Sequence, residues 1–486
     1  MCGIIGYSGE ENCAPILIKG LKNLEYRGYD SAGIAYFENE NISRIRAVGR
    51  ISELDKAIQK KSVDAHTGIG HTRWATHGMP CEANSHPHKS SLGLFYVVHN
   101  GIIENSGEIK KTLLSANTVY ESQTDTEVFA HLLEKYYTGE PVSAIAKALA
   151  VLKGTYAFSI LCSDFPHTVF GAASGSPLVA LKGESGFYLA SDISAVSEKS
   201  TECYRILNGE ICALTQTEIN FFDACGKEIN KKPEQIFCKE NSITKEGYPH
   251  FMLKEIAEQP KAIEDTIASL VSMHSITLPD VSFDEEFLQE RLKNIVIVAC
   301  GSAYHTGLVA KHLLEGLTAT PCTVEIASEF RYSHHHFGKE TLAIFVSQSG
   351  ETADTLAALR IAKQYGAQVL SIVNVQDSVI AKESENAIFT KAGKEVAVAT
   401  TKAYSAQLAA FYALAIFIGR VKNQITPEEE EKLVKELLSL PVKVKETLES
   451  VNEISKSLAG ELCHKNDVFF IGRLKDYATA CEGALK

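Results

Sequence analysis

Residues Met1-Cys2-Gly3-Ile4-Ile5-Gly6-Tyr7 decide how the first half of this chain is read. Cys2 follows the initiator Met, and its small side chain permits Met removal. Cys2 would then carry its thiol and a free α-amine on one residue. A free thiol titrates near about 8.5 and an α-amine near about 7.7–8.0. At neutral pH the amine can act as a base beside the thiol, an arrangement that activates N-terminal nucleophiles. Ile4-Ile5 reads as a first strand, with Gly3 and Gly6 expected to let other backbone approach closely. The bland alternative is an ordinary buried Cys near the start, and the next hundred residues weigh against it.

Short strand-like runs recur through the first 238 residues: Ile34–Phe37, Leu94–Val98, Tyr156–Leu161 and Ile211–Leu214. Helical patterns fall near Ala14–Leu24, Asp125–Tyr137 and Val142–Leu152. Many strands with a few helices suggest stacked sheets covered by helices.

Three polar clusters lie between these strands. In His71-Thr72-Arg73-Trp74-Ala75-Thr76-His77-Gly78, Arg73 offers a planar fork suited to a carboxylate. In His99-Asn100-Gly101-Ile102-Ile103-Glu104-Asn105, an Asn amide beside a Gly N–H can form an oxyanion hole. One such donor is worth about 3–4 kcal/mol in a transition state. In Gln123-Thr124-Asp125-Thr126-Glu127, Asp125 can accept from a substrate ammonium. The rival reading is metal, since His71, His77, His86, His88 and His99 crowd one region with Cys81. No pair has helical H-x-x-x-H spacing, which argues for no metal site.

These residues carry a resemblance. The CGIIG start, Tyr26-Arg27-Gly28-Tyr29-Asp30-Ser31-Ala32-Gly33 and the three clusters occur in the order found in class II glutamine amidotransferases. They most resemble the glutaminase half of the glutamine–fructose-6-phosphate aminotransferase (isomerising) family. The resemblance implies an α+β N-terminal-nucleophile αββα sandwich over residues 2–238. It implies Cys2 as nucleophile with its amine as base, and Asn100 and Gly101 as oxyanion hole. Arg73, Thr76, His77 and Asp125 would hold glutamine, and Trp74 would gate the exit of ammonia.

From Lys227 to Pro260 the chain turns polar, as a linker does. Residues 239–285 are expected to form the linker and a connecting helix running from about Lys261 to His274. Beyond it, Asn294–Ala299, Thr341–Val346, Val369–Val373 and Ala387–Phe389 alternate with helical patterns. That pattern gives an α/β doubly wound parallel sheet, here over residues 286–425. Its turns at Cys300-Gly301-Ser302 and Ser347-Gln348-Ser349-Gly350-Glu351-Thr352 follow strand carboxyl ends, where such sheets bind ligands. Three hydroxyls and exposed N–H groups at a helix start make a phosphate cradle. The bland reading is a Ser/Thr N-cap, for which one hydroxyl suffices.

This half resembles a sugar isomerase (SIS) domain. The resemblance places Ser302, Ser347, Gln348, Ser349 and Thr352 on a sugar phosphate, with Val398 and the Thr400-Thr401-Lys402 turn lining the same site. Ala303 stands where the family usually has Ser, which removes one hydroxyl. Glu428–Leu440 and Val442–Leu458 read as charged helices within a connector over 426–458. Asp467–Arg473 reads as the first strand of a second SIS domain, 459–486, left incomplete. Lys486 matches an isomerase Lys of the family. The family's remaining isomerase residues would lie beyond it, so a glutaminase-only or sugar-phosphate-binding regulatory chain is the alternative expectation.

Composition bounds the rest. A net charge of −12 argues against non-specific nucleic-acid binding. The twelve Cys contain no C-x-x-C pair and no signal peptide precedes them, so free thiols in the cytoplasm are expected. The apolar run Leu408–Ile418 is too short to cross a membrane and reads as a core helix. There is no G-x-x-x-x-G-K-[ST] loop and no G-x-G-x-x-G, which gives nucleotide binding little support. The acidic pair of a phosphoribosyl acceptor loop is absent, as is the S-G-G-x-D-S loop of an asparagine synthetase. The resemblance implies L-glutamine and D-fructose 6-phosphate as substrates, no cofactor, and a homodimer through the SIS half.

Overall fold

The computed structural model describes residues 2–25, 28–38, 41–74, 78–114, 120–196, 200–235, 245–272, 275–376 and 378–486. The chain divides into two compact units, Met1–Ile243 and Thr244–Lys486.

The first unit stacks an eight-stranded sheet on a seven-stranded one. The alternation of side chains along each strand explains the layers. Ile4, Ala35 and Ile69 point from the first sheet into a core shared with Val98, Leu161 and Val169 of the second. Their neighbours Ile5, Ile34 and Tyr36 point the other way, against Leu17 and Leu21 of the Cys13–Leu24 helix and Leu54 of Ile51–Gln59. On the far side, Phe158 and Ile160 pack under Phe129 and Ile145 of the Asp125–Tyr136 and Pro141–Leu149 helices. Both faces of both sheets are thus buried, the αββα order expected from the sequence. Gly3 and Gly6 do allow close approach, but by side chains rather than backbone. A Cβ on Gly3 would lie 2.7 Å from Leu24 Cβ, and one on Gly6 would lie 2.9 Å from Val169 Cγ1.

The second unit holds a five-stranded parallel sheet in the order Cys322–Ile326, Asn294–Ala299, Thr341–Ser347, Gln368–Val373, Asn386–Phe389. Ile295 and Ile297 face a core with Leu314 and the Lys402–Val421 helix, while Val296 and Val298 face Leu359 and Phe330. Chain order reverses between Asn294–Ala299 and Thr341–Ser347. That switch point opens a crevice at the carboxyl ends of the two strands. The Lys402–Val421 helix, 20 residues, is long and apolar enough to cross a membrane, yet 67% of its most apolar stretch is buried inside the unit. It is a core helix.

Four sequence expectations are corrected. The polar stretch after Lys227 is not yet linker, because Glu228–Ile229 and Glu234–Gln235 each add an edge strand to the two sheets. The connecting helix runs Phe251–Ala268 rather than from Lys261 to His274, so Pro260 lies inside it; His274 is outside the described residues. Proline there removes the donor that would have met the carbonyl of Ile256. The Gln259 side-chain Nε2 donates to that carbonyl instead, at 3.1 Å. Glu428–Leu440 and Val442–Leu458 form one helix, Pro427–Leu462, with Pro441 inside. Asp467–Arg473 is not a strand: among the described residues nothing pairs with it, and Phe469 and Ile471 are 90% and 92% exposed. The strand Cys322–Ile326 was not foreseen; it is a short sheet edge with Thr323 facing solvent.

Candidate active site

The Gly3–Gly9 strand runs antiparallel to Thr67–Arg73, so Cys2 meets the end of the HTRW stretch. The Trp74 N–H donates to Cys2 Sγ at 3.2 Å. Burial pushes the Cys2 thiol above its ordinary pKa, and the Trp74 N–H opposes this only in part. The resting group is therefore a thiol, and attack requires a base to take its proton.

Asn100 lies on Phe95–Ile103, in the other sheet, and its Nδ2 donates to the carbonyl of Cys2 at 3.0 Å. The amide is oriented from behind. His71 Nε2 sits 3.0 Å from the His99 carbonyl, which can only accept, so Nε2 carries the hydrogen. The same nitrogen is 3.1 Å from Asn100 Oδ1. The oxygen of Asn100 thus faces His71 and its NH2 faces Cys2. Next to it, Gly101 has φ +131°, and a Cβ there would fall 2.1 Å from the Thr155 carbonyl. Only glycine suits that backbone, which leaves the Gly101 peptide beside Asn100 on the cavity wall.

Asp125 opens the Asp125–Tyr136 helix. Its Oδ2 accepts from the Ile103 N–H at 2.8 Å. The turn before it is locked by Glu127, whose carboxylate accepts from the Glu121 and Ser122 N–H groups at 2.6 and 2.7 Å. Arg73 Nη2 donates to the Gly78 carbonyl at 3.3 Å. Cys2, Arg73, Trp74, Gly101 and Asp125 line one cavity. Thr76 and His77 lie outside the described residues.

The Gly28-Tyr29-Asp30 stretch braces this wall. The Asp30 N–H donates to the Arg73 carbonyl at 3.0 Å, and the Tyr29 ring meets Trp74 edge-on with centroids 5.5 Å apart. Three of the histidines considered as metal ligands, His71, His86 and His88, make other contacts. His71 stacks on His86 at 4.1 Å, and His88 Nε2 bonds Thr124 Oγ1 at 3.1 Å. Burial lowers the pKa of His71 to about 3 and that of His86 and His88 well below the ordinary value. Among the described residues no group of three or more His, Cys, Asp or Glu could hold a metal ion. Sequence reading weighed His71 only as a metal ligand and gave Glu127 no role, although both lie in motifs it singled out.

In the second unit, Ser302 follows Asn294–Ala299 on the first turn of the Gly301–Thr318 helix. Ser347 ends the neighbouring strand, so both stand at the switch-point crevice. Thr352 occupies the N-cap position of Ala353–Gln364 but makes no capping bond. Its hydroxyl pairs with Ser347 Oγ at 2.9 Å instead. Ser347 Oγ also accepts from the Gly350 N–H at 3.0 Å, and Ser349 Oγ accepts from Glu351 N–H at 3.2 Å. The hydroxyls shape the turn and leave the helix start without a side-chain cap. Val398 is 54% exposed in the loop after Asn386–Phe389. Lys486 Nζ donates to Ser302 Oγ at 2.8 Å and pairs with Glu482 at 2.7 Å.

A glutamine amidotransferase domain model matches residues 71–198, and an SIS domain model matches 289–417. The chain is 46% identical to glutamine–fructose-6-phosphate aminotransferase [isomerizing] of Clostridium tetani, covering 100% of this chain and 80% of that protein. The enzyme of the same name from Clostridium acetobutylicum is 44% identical at the same coverage. Among solved structures, the C-terminal domain of glucosamine-fructose-6-phosphate aminotransferase from Francisella tularensis is 40% identical, over 50% of this chain and 68% of that one, with TM-score 0.48. The chain belongs to the glutamine–fructose-6-phosphate aminotransferase [isomerizing] family.

Proposed function

We propose that this chain converts L-glutamine and D-fructose 6-phosphate to L-glutamate and D-glucosamine 6-phosphate. The observation that carries the glutaminase step is the Asn100 amide, turned by His71 so that its donor faces Cys2. Cys2 Sγ attacks the side-chain carbonyl of glutamine while its proton passes to the α-amine freed by Met1 removal. The Asn100 NH2 and the Gly101 N–H receive the oxyanion. The C–N bond breaks, ammonia leaves with a proton from the α-amine, and a thioester remains. Water cleaves the thioester to glutamate and restores the thiol. Arg73 and Asp125, with Thr76 and His77, hold the amino-acid end, and Trp74 gates ammonia release.

In the second unit, Ser302, Ser347, Gln348, Ser349 and Thr352 take the sugar phosphate, with Val398 beside them. Lys486, held over Ser302, belongs to the same site. Ammonia then condenses with the C2 carbonyl of the open-chain ketose, releasing water, and the resulting imine isomerises by moving a proton from C1 to C2, giving the 2-amino aldose. In this reading the chain acts in the cytoplasm, uses no metal or organic cofactor, and pairs as a homodimer through the second unit. Relatives matched along the whole chain favour synthesis over a glutaminase-only role.

The test is to supply purified protein with both substrates and measure glutamate and amino sugar together. Equal rates support the proposal. Glutamate without glucosamine 6-phosphate would favour the glutaminase-only alternative, and neither product would refute both.

A further inference from the structure

The Phe251–Ala268 helix carries Glu255, Glu258, Gln259, Ala262 and Thr266 at spacings that share one face. Each of them touches the segment 390–406, which leaves the carboxyl end of the last sheet strand. Glu255 Oε1 accepts from the N–H groups of Val396 and Ala397, at 2.5 and 2.9 Å. Glu258 pairs with Lys402 Nζ at 2.7 Å, and Ser405 Oγ donates to Gln259 Oε1 at 2.6 Å. Ala262 packs on Ala392 and Ala406, and the Thr266 hydroxyl donates to the Thr390 carbonyl. From within the segment, Glu395 Oε1 accepts from the Thr401 and Ala403 N–H groups at 2.9 and 3.0 Å.

Two carboxylates thus hold the loop on either side of Val398, whose own side chain is exposed. Asn374 ties the start of the same segment to the phosphate turn. Its N–H donates to the Gln348 carbonyl at 3.2 Å, its Nδ2 donates to the Gly393 carbonyl at 2.7 Å, and its Oδ1 accepts from Ala392 N–H at 2.8 Å. Glu255 is buried, and among the described residues its Oε2 has no hydrogen-bond partner. Burial raises its pKa against the pull of the Val396 and Ala397 N–H groups. A carboxyl in such a place is costly for the fold. What it secures is the position of two successive peptide groups next to Val398.

We propose that Glu255 is a positioning residue for the sugar phosphate, fixing the 396–401 loop beside the Ser347–Thr352 turn so that the site is formed before the ligand arrives. Glu395 is its counterpart on the other side of Val398. This inference rests on the reading that Ser347–Thr352 and Val398 take fructose 6-phosphate.

The test is calorimetric titration of the full chain with fructose 6-phosphate, combined with amide hydrogen exchange, for wild type, Glu255→Gln, Glu255→Ala and Glu395→Ala. Gln keeps an acceptor oxygen at the same place, so Glu255→Gln should bind within about twofold of wild type. Glu255→Ala should raise Kd about tenfold, the loss of charge-assisted bonds to the backbone, and speed exchange at Val396 and Ala397. Should that variant fail to fold, Glu395→Ala carries the test, with a similar loss of affinity and faster exchange at Thr401 and Ala403. Wild-type affinity in whichever Ala variant folds would overturn the inference, as would a Gln variant no better than Ala. Absence of fructose 6-phosphate binding by wild type would overturn the functional reading itself and the inference with it.

Discussion

His71 decides which end of the Asn100 amide meets Cys2. Its Nε2–H is committed to the His99 carbonyl and to Asn100 Oδ1, so only the NH2 of Asn100 is left to face the nucleophile. Replacing His71 by Leu should free the amide to rotate. Glutaminase kcat should then fall about tenfold or more, with KM little changed, because the lost contact serves the oxyanion. Asn100→Ala should cost more, on the order of 100-fold, since it removes the donor itself. Steady-state glutamate release measures both. Equal KM and kcat losses in the Leu variant would mean that His71 serves glutamine binding instead.

The Cys2 thiol is held above its ordinary pKa by burial, whereas Cys225 and Cys463 are exposed. A small neutral alkylating agent should therefore modify the exposed pair faster than Cys2 at neutral pH. A glutamine-shaped electrophile should reverse that order, because binding brings the reacting carbon to Sγ and the α-amine takes the proton. An uncleaved tag ahead of Cys2 should abolish the second reaction by converting that amine to an amide. Peptide mass spectrometry reads all three outcomes, and efficient labelling of the tagged protein would exclude the free amine as base.

Much of this architecture was legible because it rests on period and spacing. The Asn294–Ala299 and Thr341–Ser347 strands are apolar on both faces, as a sheet covered by helices requires, and their turns carry the polar groups. The Cys2 site was legible as a set of motifs. What could not be read were side chains whose work is to orient other side chains. His71 in HTRW and Glu127 in TDTE look like two more polar residues until the fold shows that one turns Asn100 and the other locks the Asp125 turn. Pro260 misled for a local reason. Proline ordinarily marks a helix boundary, and Gln259 repairs the missing bond only through its side chain. The unpaired Val468–Ile471 run has strand composition, but pairing depends on a partner that composition does not report.

Acid should destabilise the first unit through its buried histidines. His71, His86 and His88 have folded pKa values below the ordinary value of about 6.5, so the unfolded chain binds more protons. Their contribution is fully present above about pH 6.5 and is lost as pH falls toward the folded values. Each should remove about 1.4 kcal/mol per pH unit within that window. Glu127 adds to this below its unfolded pKa of about 4.5. Burial works against its charge, but the nearby His131 ring and hydrogen bonds from the Ser122 hydroxyl and the Glu121 and Ser122 N–H groups hold its pKa to about 2. Denaturant melts of the isolated transition at pH 7, 6 and 5 measure the slope. A first-unit stability independent of pH between 6.5 and 5 would mean that these rings are protonated in the folded state.

The phosphate turn offers a ranked prediction, because its hydroxyls are not equivalent. Ser347 Oγ joins two parts of the turn, accepting from the Gly350 N–H and pairing with Thr352. Ser349 Oγ makes one longer bond, to the Glu351 N–H two residues on. Gly350 has φ +67°, and a Cβ there would lie 1.9 Å from Ser378 Oγ. Ser347→Ala should therefore loosen the turn as well as remove a phosphate contact, weakening fructose 6-phosphate binding about tenfold, whereas Ser349→Ala, which loses one longer turn bond, should cost about threefold. Gly350→Ala should be worst, since both the backbone conformation and the space oppose a side chain. Inorganic phosphate should follow the same order as the sugar phosphate, because all three changes act on the cradle. Titration with both ligands checks the ranking. A larger loss from Ser349→Ala than from Ser347→Ala would mean that direct contact with the phosphate outweighs the shape of the turn.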